Sequence, residues 1–158
     1  MNSNKARCLI LTCGNTLRED DGIGPWLATW AEGRFSDEPG VRVISRQLWT
    51  LVLSDEIASA EAVLFVDCSV AIEPGSVTVA DVEPAAETAG LDTHQQGASE
   101  LLALARDLYS SLPRAAVLMT VGAGSVELGE EFSAAVLDAI PLACTKLEET
   151  VARLLAEA

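Results

Sequence analysis

Basic residues are scarce in this chain. Ten Lys and Arg stand against 24 Asp and Glu, a net charge of −14 over 158 residues. Nucleic acid and anionic membrane both reward clustered cations, so this balance argues against either as a partner. A solubilising acidic surface is the simplest use of such a charge; modest steering of a basic partner segment is a second. No apolar run reaches membrane-spanning length, and the opening Met1–Arg7 stretch is too short and polar for a cleavable signal. The four cysteines, Cys8, Cys13, Cys68 and Cys144, form no C-x-x-C pair and lack the density of a disulfide scaffold. Reduced thiols in a cytoplasmic protein are therefore expected. Cys8 and Cys144 lie on apolar faces and read as core filler, whereas Cys13 and Cys68 fall at strand ends near acids. Histidine is scarcer still: His94 is the only one. A single imidazole cannot be both a metal ligand and the base of a nucleophilic triad. H-E-x-x-H, G-x-S-x-G, G-x-G-x-x-G and the P-loop pattern are all missing, which removes the common protease and nucleotide-site signatures.

What is present is an apolar composition of 49 %, enough for a sizeable core in one domain spanning residues 1–158. The apolar period alternates between strand-like runs and helical stripes. Strands are predicted over Arg7–Thr12, Val41–Ser45, Ala62–Asp67, Ser76–Val82 and Ala115–Val121, and their near-continuous hydrophobicity fits a sheet covered on both faces. Helices are predicted over Ile23–Arg34, near Thr50–Ala58, over Gly97–Leu112 and over Ser133–Ala156. In the last, Leu137, Ile140, Cys144, Leu147, Val151 and Leu154 make one apolar stripe, with Pro141 expected to kink or split it. This alternation means an α/β fold: a twisted, mainly parallel β-sheet with helices on both faces. The Ser76–Val82 run follows its predecessor without a helix, so it is expected to be an antiparallel edge or hairpin strand.

The most informative segment is Gly14-Asn15-Thr16-Leu17-Arg18-Glu19-Asp20-Asp21-Gly22-Ile23-Gly24, directly after the first strand. Open α/β sheets place ligands in the crevice beyond the carboxyl ends of their strands. Paired carboxylates there would repel a phosphate and suit a metal ion or a proton-transfer role. Asp67 closes the Ala62–Val66 run at another strand end, and His94 precedes a long helix. Two carboxylates and an imidazole form a mixed O/N set suited to Ni, Zn, Co or Mn, with positions left open. Each residue also has a local use: Asp21 or Asp20 as a helix cap, Asp67 as a turn former, His94 as a surface or capping residue.

The Gly14–Gly24 segment, the strand ending in Asp67 and the histidine before the third helix, in this order and spacing, resemble the [NiFe]-hydrogenase maturation endopeptidases. The resemblance covers nearly the whole chain and implies the same sheet-and-helix fold. It further implies that Asp21, Asp67 and His94 are the catalytic and nickel-coordinating residues. The loop after the second strand reads Ser45-Arg46-Gln47-Leu48, in place of an Asp-Gly-Gly found in some members; Asn15, Gln47 and Leu48 are the implied substrate-binding positions. The implied task is removal of a C-terminal extension from the hydrogenase large-subunit precursor after nickel insertion, the nickel being contributed by that substrate. A self-sufficient hydrolase with resident zinc, and a non-catalytic nickel-binding chaperone of the same large subunit, would need the same ligands.

Overall fold

Alternate residues along the inner strands face two different helical layers. The computed structural model describes residues 5–86 and 97–157. Its elements are β1 (Cys8–Cys13), α1 (Ile23–Arg34), β2 (Val41–Arg46), α2 (Ser54–Ser59), β3 (Ala62–Ser69), β4 (Val77–Asp81), α3 (Ala98–Tyr109), β5 (Ala115–Gly122) and α4 (Ala134–Ala156), with 3₁₀ turns over Glu19–Gly22 and Leu51–Leu53. Cys8, Ile10, Leu64 and Val66 join Ile23, Leu27 and Ala31 of α1 and Val136, Ala143, Leu147 and Val151 of α4 in one core. Leu9, Leu11, Val63 and Phe65 point the other way, onto Ile57 of α2 and Leu101, Leu102 and Ala105 of α3. The period-2 side-chain alternation of a strand thus supplies two cores from one continuous apolar run.

The sheet order is β2-β1-β3-β5-β4. The first four strands are parallel, and β4 runs antiparallel to β5 at the edge. The edge expectation for β4 is met, but its partner is β5 and not the preceding β3, so no hairpin forms. The chain leaves β1 toward β2 on one side and later returns to β3 on the other. The two crossovers diverge between β1 and β3, and that switch point opens a crevice at the strands' carboxyl ends.

Three expectations are corrected. β3 continues through Ser69, so Asp67 lies inside the strand, where its backbone pairs in register with Thr120 of β5. Pro141 does not split α4, which runs unbroken. Pro141 is on the solvent side, where water can serve the carbonyl its missing N–H leaves free. Leu137 is 54 % exposed; the buried stripe of α4 enters instead through Val136, Ala139 and Ala143 before reaching Leu147. Cys8 is fully buried and Cys144 packs partly against the same core, as expected.

The Gly-x-Gly end of the corner segment is explained by close approach. A Cβ on Gly24 would lie 2.1 Å from the Cys13 carbonyl oxygen, so α1 seats on the end of β1 only because that position is bare. Gly→Ala in a helix ordinarily gains about 1 kcal/mol. Gly24→Ala should instead lower stability by about 1–3 kcal/mol through backbone overpacking. Gly33→Ala in the same helix, where nothing lies within 4 Å of the new Cβ, should raise the melting temperature. Thermal denaturation of the two variants checks the contrast; the same sign for both would contradict it.

Candidate active site

The turn Glu19–Gly22 follows β1 and delivers two consecutive acids to opposite fates. Asp20 is fully buried. Its Oδ1 accepts from the Ser133 backbone N–H at 2.7 Å, and its Oδ2 accepts from Gly124 N–H at 2.8 Å, Ser125 N–H at 3.0 Å and the Ser133 hydroxyl at 2.8 Å. Burial alone would raise its pKa, but these donors, led by the Ser133 pair, outweigh it and hold the carboxyl below its usual range. The Ser133 hydroxyl in turn accepts from Val136 N–H as the N-cap of α4. Asp20 therefore holds the corner, as expected of it, by fastening the β5–α4 loop; it does not cap α1.

Asp21 does not cap α1 either, whose N-cap is Gly22 with no side-chain bond. Its Oδ2 accepts from the Asn15 backbone N–H at 2.7 Å. The Asn15 side-chain oxygen accepts from Leu17 N–H at 2.9 Å, an Asx turn that shapes the same corner. Asp21 faces a cavity of about 500 Å³ lined also by Cys13, Gly14, Gln47, Leu48, Trp49, Asp67, Cys68, Gly97, Ala98 and Leu118. Asp21 and Asp67 are thus brought to one site, with Gln47 and Leu48 on its exposed lip. His94 lies outside the described residues. Among the described residues no three His, Cys, Asp or Glu side chains gather closely enough to hold a metal.

Two carboxylates line the cavity. Burial pushes the Asp67 pKa up; a hydrogen bond from Thr120 opposes this, and the Asp21 charge adds to the rise. Asp67 Oδ1 is buried with no hydrogen-bond donor among the described residues. A buried acceptor with no donor costs about 1–3 kcal/mol, and here it sits beside a second carboxylate, an arrangement that a cation would relieve. Burial, followed by the charges of Asp67, Asp21 and Cys68, pushes the Cys13 thiol to about 12; burial and the nearby aspartates do the same for Cys68. Both thiols stay protonated and unreactive in this state.

Trp49 was not foreseen from the sequence. It is 4 % exposed, lines the cavity, and meets Phe65 of β3 edge-on with ring centroids 5.2 Å apart. Its indole N–H, like Asp67 Oδ1, is buried without a partner among the described residues. A large aromatic directly after Gln47-Leu48 was the available signal.

A parallel sheet with a carboxylate-lined cavity at its switch point is the architecture of a ligand-binding α/β enzyme. Residues 32–150 match the family model described as HycI, hydrogenase maturation protease. The chain therefore belongs to the hydrogenase maturation protease family and is an endopeptidase of hydrogenase maturation. It is similar in structure to the [NiFe] hydrogenase maturation protease HybD from Thermococcus kodakarensis, with a TM-score of 0.62 and 28 % identity over 91 % of this chain and 98 % of that one. HycI from Thermococcus kodakarensis KOD1 gives 0.64 and 25 % over 98 % and 95 %. The E. coli maturating endopeptidase HybD gives 0.73 at 19 % identity, covering 93 % of each chain, and speaks to fold. Among curated proteins no sequence matches this chain. No helix of the described residues is long and apolar enough to cross a membrane.

The two acids predict opposite responses. Folding lowers the Asp20 pKa, so its contribution is complete above the unfolded carboxyl range and is lost as pH falls through the folded value. Asp20→Asn should cost about 1.5–3 kcal/mol at neutral pH, since it removes charge-assisted buried bonds. The deficit relative to wild type should shrink below about pH 4. Folding raises the Asp67 pKa, so its ionised form is disfavoured in the native state, and Asp67→Asn should stabilise the metal-free protein at pH 7. Urea unfolding at pH 7 and in acid tests both signs; a destabilised Asp67→Asn would contradict the second.

Proposed function

We propose that this endopeptidase removes the C-terminal extension of a [NiFe]-hydrogenase large-subunit precursor after nickel has been inserted, and that it reads the substrate's nickel as the licence to cut. The observation carrying this reading is the buried Asp67 Oδ1, without a hydrogen-bond donor among the described residues, beside Asp21 in a carboxylate-lined cavity. Hard carboxylates alone are an incomplete sphere for nickel, whose affinity rises with imidazole and thiolate donors. His94 is the proposed third protein ligand. In sequence it stands three positions before cavity-lining Gly97. The substrate's own thiolates would complete the set.

In this reading Asp21 and Asp67 hold the nickel-bearing end of the substrate, and Gln47 and Leu48 on the lip contact the extension. The bound nickel can polarise the scissile carbonyl or acidify a water. Hydrolysis breaks the peptide C–N bond, with water supplying hydroxyl to the carbonyl carbon and a proton to the departing amine. The buried floor around Trp49 and Leu118 limits solvent access to the bond.

Asp67→Asn and His94→Ala should each abolish processing while the protein stays folded, because each removes a ligand and no packing element. Asp21→Glu should retain part of it. Mass measurement of the precursor's C-terminus reads the outcome, and full activity in His94→Ala would remove that ligand from the scheme.

Nickel-loaded precursor should be cut and metal-free precursor left intact, even with free zinc supplied. The purified protease should carry no stoichiometric nickel. Equal cleavage of both precursors would instead mark an ordinary metallopeptidase, and binding without cutting a maturation chaperone.

A further inference from the structure

The corner loop that carries Asp21 has a second side. Behind it Thr16, Gly22, Pro25, Trp26 and Phe132, with Glu130 at the edge, line a hollow of about 320 Å³. Leu17 follows lining residue Thr16 and Leu128 stands two positions before Glu130; they are 54 % and 84 % exposed, and Trp26 is 39 % exposed. The backbones bearing the two leucines are laced together: Gly129 N–H donates to the Leu17 carbonyl at 2.9 Å, and Glu19 N–H to the Gly129 carbonyl at 2.7 Å. The Ser125 hydroxyl donates to Glu19 Oε1 at 2.8 Å, and Asp20 fastens the same loop from below.

A single exposed leucine needs no explanation. Two of them on backbone segments that are hydrogen-bonded together, beside a hollow lined by a tryptophan and a phenylalanine, put exposed apolar groups together in the way that marks an interaction site. Glu130 lines the hollow, and Glu127 and Glu131 stand beside it in sequence, all three exposed, in a chain of net charge −14.

We infer that this face docks the folded body of the large-subunit precursor, an inference that rests on the function proposed above. The matching surface on the precursor is an apolar patch ringed by Lys and Arg. One corner loop then separates the docked body from the cavity, and the extension needs only to pass around that loop to reach Asp21. The acidic rim acts mainly on encounter and orientation, and the apolar floor holds the complex.

The test uses the whole protein and the nickel-loaded precursor from the same genome, its extension intact, with binding by titration calorimetry and cutting by mass. Two double variants are compared with wild type: Leu17→Asp with Leu128→Asp, and Glu127→Lys with Glu130→Lys. All four side chains lie outside the proposed cutting machinery. Each double variant should weaken binding roughly tenfold or more, as loss of interface anchors does. KM should rise with kcat unchanged. Added salt should weaken wild-type binding more than that of the charge-reversed protein. Wild-type affinity in either variant would overturn the docking face. So would a wild-type dimer in sedimentation that Leu128→Asp dissociates, since a second copy would then be the occupant. If wild type binds the precursor without cutting and the variants lose that binding, the face stands and the protease reading fails. If wild type neither binds nor cuts, both fall.

Discussion

A buried carboxylate solvated by N–H and O–H donors, with no cation among its bonds, governs the working edge of this sheet. Asp20 receives three backbone N–H bonds and one hydroxyl bond from residues more than 100 positions away. Charge-assisted bonds of this kind are roughly twice as strong as neutral ones, and together they repay the cost of burying the charge. The consequence is geometric. The β1–α1 corner and the β5–α4 loop become one body, and the N-cap of α4 is fixed to the turn that presents Asp21. Backbone bonds from Glu19 to Gly129, Asp20 to Ser125 and Gly129 to Leu17 reinforce the same seam, and the Asn15 N–H aims the Asp21 carboxylate.

Two aspartates with opposite environments divide labour by solvation. Asp20 is saturated with donors and closed to chemistry. Asp67, across the crevice, has the Thr120 hydroxyl on its carboxylate and a buried oxygen with no donor among the described residues. It is the costly member of the set, and a costly buried acceptor is a reasonable feature only where something arrives to meet it. The raised thiols of Cys13 and Cys68 fit the same picture, since burial first and the neighbouring carboxylates second disfavour the thiolates there.

Features that depend on local periodicity were legible in the sequence. α1 is found at the bounds its pattern predicts, the strands shift by a residue or two, and the edge role of β4 followed from the missing crossover helix. The strand-end rule drew Asp21 and Asp67 to one crevice before any coordinates. Features that depend on distant partners were not legible. Nothing near Asp20 in sequence announces Ser133, and nothing near Trp49 announces Phe65. The stripe of α4 was misplaced at its start because Val136 and Leu137 are adjacent and equally apolar; only the seat of the helix on the sheet decides which faces inward. Pro141 reads from sequence as a kink or a split because the rule concerns the lost hydrogen bond; the split does not occur, and the loss matters less where water can replace the bond.

The same bracing that aims Asp21 also stiffens the ledge of Leu17 and Leu128 behind it. The proposed wait for a cargo metal calls for two kinds of discrimination, the right protein and the right state of that protein. An apolar, acid-rimmed face can report the first, since it senses surface shape and charge and is indifferent to nickel. An unfinished ligand set can report the second, since it gains little from a substrate without the ion. Both reports converge on the turn Glu19–Gly22, with Asp21 on one side and the ledge on the other. Fixing that turn rigidly costs the chain a buried charge and several bare glycines, and it keeps recognition and chemistry in constant register without requiring a moving part.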